Sequence, residues 1–110
     1  MTRGKTMLAI SARIEIDPKD SAAYIAAAQK IIDPTHTEPG CLLYCFAVDI
    51  IHSNVIWVTE QWEDEAALIN HLQMPYILEF LAFCETVSIT DMNIIRFDVS
   101  AAGPLELPES

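Results

Sequence analysis

With 110 residues, of which 52% are hydrophobic and 20% charged, the chain is long enough to build one domain core and too apolar to stay disordered. Sixteen acidic against six basic residues give a net charge of −10, which repels phosphate backbones and anionic headgroups, so we expect no nucleic acid and no membrane partner. The apolar surplus predicts an oligomer, and an N-terminus without a signal-peptide pattern predicts a cytoplasmic protein.

The first predicted element is a β-strand over residues 7–16, where apolar and polar side chains alternate. The Asp17-Pro18 pair then provides an N-cap oxygen and a proline suited to the first helical turn. This helix is expected to run to about Ile32 and to end at Asp33-Pro34, because a residue before proline avoids helical angles. Its predicted buried stripe is Tyr24, Ala27, Ala28, Ile31 and Ile32.

A tight reversal is predicted at residues 38–40, where Pro39 fixes φ and Gly40 permits a positive φ. This turn directs the chain into a strand over residues 41–50. A second turn at residues 51–54 leads to a returning strand over residues 55–62, so the two strands are predicted to form a β-hairpin.

Two short helices and a last strand complete the predicted elements. A helix capped by Asp64 should run to about Leu72, and a further helix is predicted for residues 75–84, whose first residue is a proline. The last strand is drawn from residues 88–99. Residues 100–110 are predicted to form a C-terminal tail.

The predicted order, βαββαβ, is typical of α+β ferredoxin-like folds with one four-stranded antiparallel sheet. We expect a single domain over residues 1–110 with a core at about residues 7–99. Helices cover one face of such a sheet, whereas the strands carry apolar side chains on both faces. The other face is therefore predicted to pack against a second copy of the chain.

Cysteine and histidine positions predict neither a disulfide nor a metal site. Cys41 and Cys45 would lie about 13 Å apart on one strand, whereas a disulfide needs Cα atoms within ~7 Å. The third cysteine is Cys84, and the three histidines show no ligand spacing. We therefore expect reduced thiols and no bound metal.

Three motifs in a fixed order resemble the antibiotic biosynthesis monooxygenase family. They are "EPGCLLY", "VTEQWEDEAALINHL" and "PYILEFL", and the resemblance covers roughly residues 7–97. It implies the dimeric α+β barrel, a homodimer in which two ferredoxin-like sheets face each other. The family includes cofactor-free oxygenases of quinols and polyphenols, haem-degrading enzymes, an isomerase of a signalling metabolite and proteins with no known reaction.

Haem is not an expected cofactor. Haem-degrading members carry an asparagine, a tryptophan and an axial histidine at positions that align with Ala12, His71 and Leu81 of this chain. No histidine therefore occupies the predicted helix that would present the axial ligand.

The strand over residues 55–62 is predicted to carry an acid among apolar neighbours. The two-residue period of a strand puts Glu60 and Trp62 on one face with two aliphatic residues. A carboxyl group in an apolar site has a raised pKa and can exchange protons near neutrality, which would make Glu60 catalytic. The alternative is an ion pair with Arg13 or Arg96 across the sheet.

His71 is predicted to lie on the core-facing side of the helix that begins after Asp64, above the sheet near Trp62. The family pattern has a histidine here, which implies a general base or a hydrogen-bond donor to a phenolic substrate. The alternative is a half-buried histidine whose partner is a backbone carbonyl.

Further candidate substrate contacts are aromatic residues that would line a flat cavity and one loop histidine at its mouth. For each of the aromatic residues, ordinary core packing is the alternative, and for the histidine the alternative is an exposed position in the loop. These candidates are Trp62, Tyr44, Tyr76, Phe80, Phe83 and His36.

The first functional hypothesis is a monooxygenase that oxidises a quinol-like or polyphenolic molecule with O₂, without metal or flavin, through His71 and Glu60. Such chemistry requires a base, a donor for the substrate anion and a cavity without water. Two alternatives stay open. One is a non-redox isomerase or binding protein that uses the same cavity, and the other is an interaction protein whose apolar sheet serves only assembly.

Overall fold

The computed structural model describes residues 6–108, in which four strands form one antiparallel sheet in the order β2-β3-β1-β4. The strands are β1 (Met7–Ile16), β2 (Cys41–Val48), β3 (Val55–Trp62) and β4 (Ile89–Val99). The helices are α1 (Ser21–His36), α2 (Glu65–Leu72) and α3 (Pro75–Cys84). This arrangement confirms the predicted α+β ferredoxin-like fold.

Strand β1 lies at the centre of the sheet and shows the predicted alternation, with every second side chain buried. It pairs with β3 on one side and β4 on the other, so Ile10 lies between Glu60 and Arg96. The buried side chains of β1 and β3 pack against α1 and α3, where Tyr24 and Ile77 are nearly inaccessible. The core therefore lies on one side of the sheet.

Helix α1 continues through Pro34 to His36, so the predicted end at Asp33-Pro34 is wrong. Pro34 has no N–H to donate to the carbonyl four residues earlier, so α1 lacks one hydrogen bond two residues before its end. The hydroxyl of buried Thr35 donates to the carbonyl of Ile31 at 2.6 Å, and the N–H of Glu38 donates to the carbonyl of Thr35 at 3.0 Å. These bonds extend the helix by one turn beyond the prediction and bring the next loop close to the core.

The predicted helix start also differs, because residues 18–20 form a 3₁₀ turn before α1. Of the predicted buried stripe, Tyr24, Ala28 and Ile31 are buried, whereas Ala27 and Ile32 are only partly covered.

The reversal at residues 38–40 has the predicted geometry, since Gly40 has a φ of +84°. Its carbonyl accepts a hydrogen bond from the N–H of Glu63 at 2.9 Å, which ties the loop to the end of β3. A Cβ atom at Gly40 would lie 2.6 Å from the Cβ of Ala67 in α2. Only glycine therefore allows the loop to approach this helix so closely.

The predicted β-hairpin is confirmed, although β2 ends two residues earlier than predicted and the connecting turn spans residues 49–54. The side chain of Asp49 organises this turn, because it accepts bonds from the N–H groups of Ile51 and His52 and from the indole of Trp57. A register irregularity lies between Cys41 and Leu43.

The predicted helices α2 and α3 are both present. Asp64 caps α2 as predicted, since its carboxylate accepts from the N–H of Ala67 at 2.8 Å. Residues 100–108 have no regular secondary structure and are exposed. Between residues 6 and 108, no helix is both long enough and apolar enough to cross a membrane.

The sheet face opposite the helices carries large apolar side chains. Leu43, Trp57, Ile95 and Phe97 lie on this face and are between 38% and 49% exposed. Strand β4 is open on both faces, since all residues from 90 to 98 are exposed. The fold thus leaves one apolar sheet face without a partner in the described chain.

Candidate functional site

A cavity of about 560 Å³ lies between the covered face of the sheet and helices α2 and α3. Its walls are mostly apolar, with β-strand residues such as Ile10 and Val58 facing helical residues such as Leu68 and Phe80. This volume falls within the range of roughly 300–1,000 Å³ that is usual for small-molecule sites. The polar side chains on the wall include His71, Glu60 and Tyr44.

His71 is held on several sides and is only 3% exposed. Its Nδ1 atom lies 3.0 and 3.2 Å from the two carboxylate oxygens of Glu38. The imidazole packs against the ring of Trp62 at a centroid distance of 4.6 Å and against Tyr44 at 5.1 Å. Because Glu38 occupies Nδ1, Nε2 is the ring nitrogen available to a molecule in the cavity.

Glu38 is the functional candidate that sequence reasoning missed. It directly follows the cap of α1, is 5% exposed, and accepts hydrogen bonds from His71 and from the hydroxyl of Tyr76. An acid in a Pro-Gly turn is ordinarily solvated, so the sequence pattern at this residue predicts only a reversal of the chain. Its place at the start of the family motif was the available signal.

Tyr76 lies beside this carboxylate on α3. Partial burial and the hydrogen bond to Glu38 raise the pKa of Tyr76 to about 12. The phenol therefore remains protonated at neutral pH and continues to donate to the carboxylate.

Glu60 lies on the cavity wall, as the strand period predicted, and accepts a hydrogen bond from the indole of Trp62 at 2.9 Å. Burial raises the pKa of Glu60 above the ordinary carboxyl value, and the Trp62 bond and nearby His71 oppose part of this shift. A side chain of this kind can hold a proton at a pH where exposed carboxylates have lost theirs.

The alternative of an ion pair between Glu60 and Arg13 or Arg96 does not match the structure, because these two arginines have other partners. Arg13 pairs with Glu15 and Asp91, and Arg96 pairs with Glu65 and Asp98.

The other predicted site residues are divided between the cavity wall and its surroundings. Tyr44 and Phe80 line the cavity. Trp62 is fully buried behind His71 and Glu60, and Tyr76 contacts Glu38 rather than the cavity.

Phe83 and His36 also lie outside the wall. Phe83 stacks on Phe80 with ring centroids 6.5 Å apart. His36 is exposed, and its Nε2 atom donates to the carbonyl of Tyr44 at 2.8 Å. Its contact is thus with the backbone of β2.

Some of the apolar wall residues that were not predicted lie on β4 and at the end of α3. They include Met92, Ile94 and Cys84. Their position depends on how α3 and β4 are spaced, which the local pattern does not specify.

Metal and disulfide chemistry find no support in the part of the chain that the structure covers. Within residues 6–108, no cluster of three or more histidine, cysteine, aspartate or glutamate side chains is placed to hold a metal ion. Cys41, Cys45 and Cys84 are free thiols in the structure, and burial raises the pKa of Cys41 and of Cys84.

Two known proteins are similar to this chain in sequence. The uncharacterized protein sll1783 of Synechocystis sp. (strain ATCC 27184 / PCC 6803 / Kazusa) is 35% identical over 74 residues, which are 67% of this chain and 50% of that protein. This chain thus spans about half the length of that relative. "Putative monooxygenase YcnE" of Bacillus subtilis (strain 168) is 22% identical over 94 residues, which are 86% of this chain and 99% of YcnE.

The chain is also similar to a solved structure and matches a sequence model of a protein family. The crystal structure of PA3566 from Pseudomonas aeruginosa superimposes with a TM-score of 0.81 at 27% identity, over 91% of this chain and 100% of that one. The sequence model described as "Antibiotic biosynthesis monooxygenase" matches residues 7–82. Because this match runs from β1 through most of α3 and so covers well over half of the chain, the chain belongs to the antibiotic biosynthesis monooxygenase family.

Proposed function

We propose that this protein is a cofactor-independent monooxygenase that oxidises an uncharged aromatic molecule of the quinol or polyphenol class with O₂. The observation that supports it best is the presence of His71 and Glu60 on the wall of one apolar cavity. The two groups differ in chemistry, because one offers a free imidazole nitrogen and the other a carboxyl group with a raised pKa.

The first step is removal of a proton from a substrate hydroxyl by Nε2 of His71. The resulting phenolate transfers one electron to O₂, which gives a phenoxyl radical and superoxide. These recombine at a ring carbon to form a C–O bond, and the peroxide takes up the proton. Apolar walls favour these steps, because they admit O₂ and the arene and exclude competing water.

The second stage is loss of water from the hydroperoxide. A base removes the proton from the oxygenated carbon, the O–O bond breaks, and Glu60 donates a proton to the departing hydroxide. The sum is phenol plus O₂ to para-quinone plus water. The substrate supplies all the electrons, so the reaction needs no external reductant.

A homodimer is part of the proposal. The apolar sheet face with Trp57, Ile95 and Phe97 resembles an interface more than a solvated surface, and a second copy would cover it. Because the cavity lies on the other face, dimerisation would bury this surface and leave a separate cavity in each subunit.

Oxygen consumption tests the proposal. A panel of quinols and polyphenols is added to the protein in an oxygen-electrode cell, and ¹⁸O₂ is used to detect label in the product. We expect turnover by the wild-type protein and loss of about 10²- to 10⁴-fold in kcat for His71→Ala, which is the usual contribution of a general base. His52→Ala is the matched control, because His52 is exposed in the hairpin turn far from the wall.

Unchanged turnover in His71→Ala would remove this residue from the mechanism. A non-redox isomerase is the second candidate, since His71 and Glu60 on one wall would also suit proton transfer between two atoms of one substrate. Conversion of a substrate under strict anaerobiosis, without O₂ uptake by any quinol, would favour that function.

A further inference from the structure

We infer that Glu38 is a positioning residue that fixes His71 in its Nδ1–H tautomer and aims Nε2 at the substrate. The inference deepens the proposed function and rests on the general-base role of His71. Glu38 lies at residues 38–40, where the sequence pattern alone predicts only a turn.

The tautomer follows from the chemistry of the two partners. Both oxygens of Glu38 lie within 3.2 Å of Nδ1, and a carboxylate can only accept hydrogen bonds. Nδ1 must therefore donate, so in the neutral imidazole Nε2 carries the lone pair. A general base needs that lone pair on the side of the cavity.

Glu38 is held both at its backbone and at its side chain. The N–H of Glu38 donates to the carbonyl of Thr35, and its own carbonyl accepts from the N–H of Cys41. On the side-chain end, His71 from α2 and Tyr76 from α3 both donate to the same carboxylate. Glu38 thus joins the end of α1 to both helices of the cavity.

Burial makes this contact energetically important. The side chain of Glu38 is 2% exposed and that of His71 is 3% exposed, so water cannot replace either partner. When His71 accepts a substrate proton, the neighbouring carboxylate offsets the positive charge in a site of low polarity. Trp62 and Tyr44 hold the plane of the imidazole while this charge develops.

The experiment compares Glu38→Gln with Tyr76→Phe by long-range ¹H–¹⁵N NMR of the His71 side chain, in protein without substrate. We expect protonated Nδ1 and bare Nε2 in the wild-type protein. A glutamine amide can donate to Nδ1, so E38Q should show a mixed or reversed tautomer. Y76F keeps the carboxylate and should keep the wild-type tautomer.

Kinetics give the second readout. In E38Q we expect kcat to fall about 10²- to 10⁴-fold, because the base nitrogen is protonated, while KM changes by less than about threefold. A purely structural role would change KM or folding without the tautomer shift.

Two results would overturn the inference. One is a wild-type tautomer in folded E38Q, and the other is an equal tautomer change in Y76F, which would assign the effect to the phenol. If E38Q does not fold, the wild-type spectrum decides, since protonated Nε2 and bare Nδ1 in the native protein contradict the proposed arrangement. Because NMR needs no turnover, absence of O₂ uptake would count against the proposed function alone.

Discussion

Replacement of Gly40 by alanine tests how closely the Glu38 loop must approach α2. Gly40 has a φ of +84°, and a non-glycine residue in this region costs about 1–2 kcal/mol. The added Cβ would lie 2.6 Å from the Cβ of Ala67, whereas ordinary contacts lie at 3.4–4 Å. Relieving such an overlap in a packed site costs about 1–3 kcal/mol.

The two contributions predict a loss of about 2–5 kcal/mol in the free energy of unfolding for Gly40→Ala. That is a large part of the roughly 5–15 kcal/mol that stabilises a typical domain. Urea denaturation at one fixed protein concentration measures it, since an oligomer's stability depends on concentration. Gly103→Ala is the matched control, because nothing lies within 4 Å of its Cβ position.

A double variant separates the two causes. Ala67→Gly removes the nearest overlapping methyl group, so Gly40→Ala should cost less in the Ala67→Gly background than in the wild type and should retain the cost of positive φ. A Gly40→Ala protein within about 0.5 kcal/mol of the wild type would refute the close approach. A double variant no more stable than the sum of the single effects would show that Ala67 is not the obstacle.

Three further predictions concern charge, assembly and ligand choice. Because burial raises the pKa of Glu60, the folded protein binds this proton more tightly than the unfolded chain does. The resulting stabilisation is complete below the carboxyl pKa of the unfolded chain, about 4.3, and is lost as pH rises through the pKa of the folded state. Glu60→Gln should therefore gain stability relative to the wild type as pH rises, and parallel denaturation curves across pH would contradict this. Phe97→Asp on the uncovered sheet face should convert a dimer to monomers, as measured by light scattering. Leu78→Asp on the exposed side of α3 is the control and should leave the dimer intact. A Phe97→Asp protein that is still a dimer would exclude this sheet face as the dimer interface. The described wall residues include no lysine or arginine, and the mostly apolar wall would strip water from a charge, so a carboxylated analogue of a bound phenol should lose about tenfold or more in calorimetric affinity. Equal affinity for the two ligands would show that the added carboxylate stays in water rather than against the apolar wall.

Much of the fold followed from local patterns. Alternation identified the buried face of β1 and placed Glu60 inside, because a strand's two-residue period does not depend on distant parts of the chain. The end of α1 was predicted incorrectly, since the rule for a residue before proline ignores tertiary contacts. Buried Thr35 and the capping bonds from the following loop keep the helix intact through Pro34.

The candidate site was only partly predictable for the same reason. His71 was expected above the sheet, and helix periodicity was enough for that expectation. The burial of Glu38 depends on the positions of α2 and α3, which converge on the loop only in the folded chain. Phe83 and Tyr76 were predicted to line the cavity, but small rotations of α3 decide which aromatic residues face it.

The contact between Trp62 and His71 gives the protein a built-in optical probe. Trp57 and Trp62 are the two tryptophans of the chain, and Trp57 lies on the opposite sheet face, where it is 39% exposed. In a Trp57→Phe background, all indole fluorescence would come from a ring 4.6 Å from the imidazole and hydrogen-bonded to Glu60. Emission intensity would then follow the arrival of an aromatic molecule in real time, without any added label.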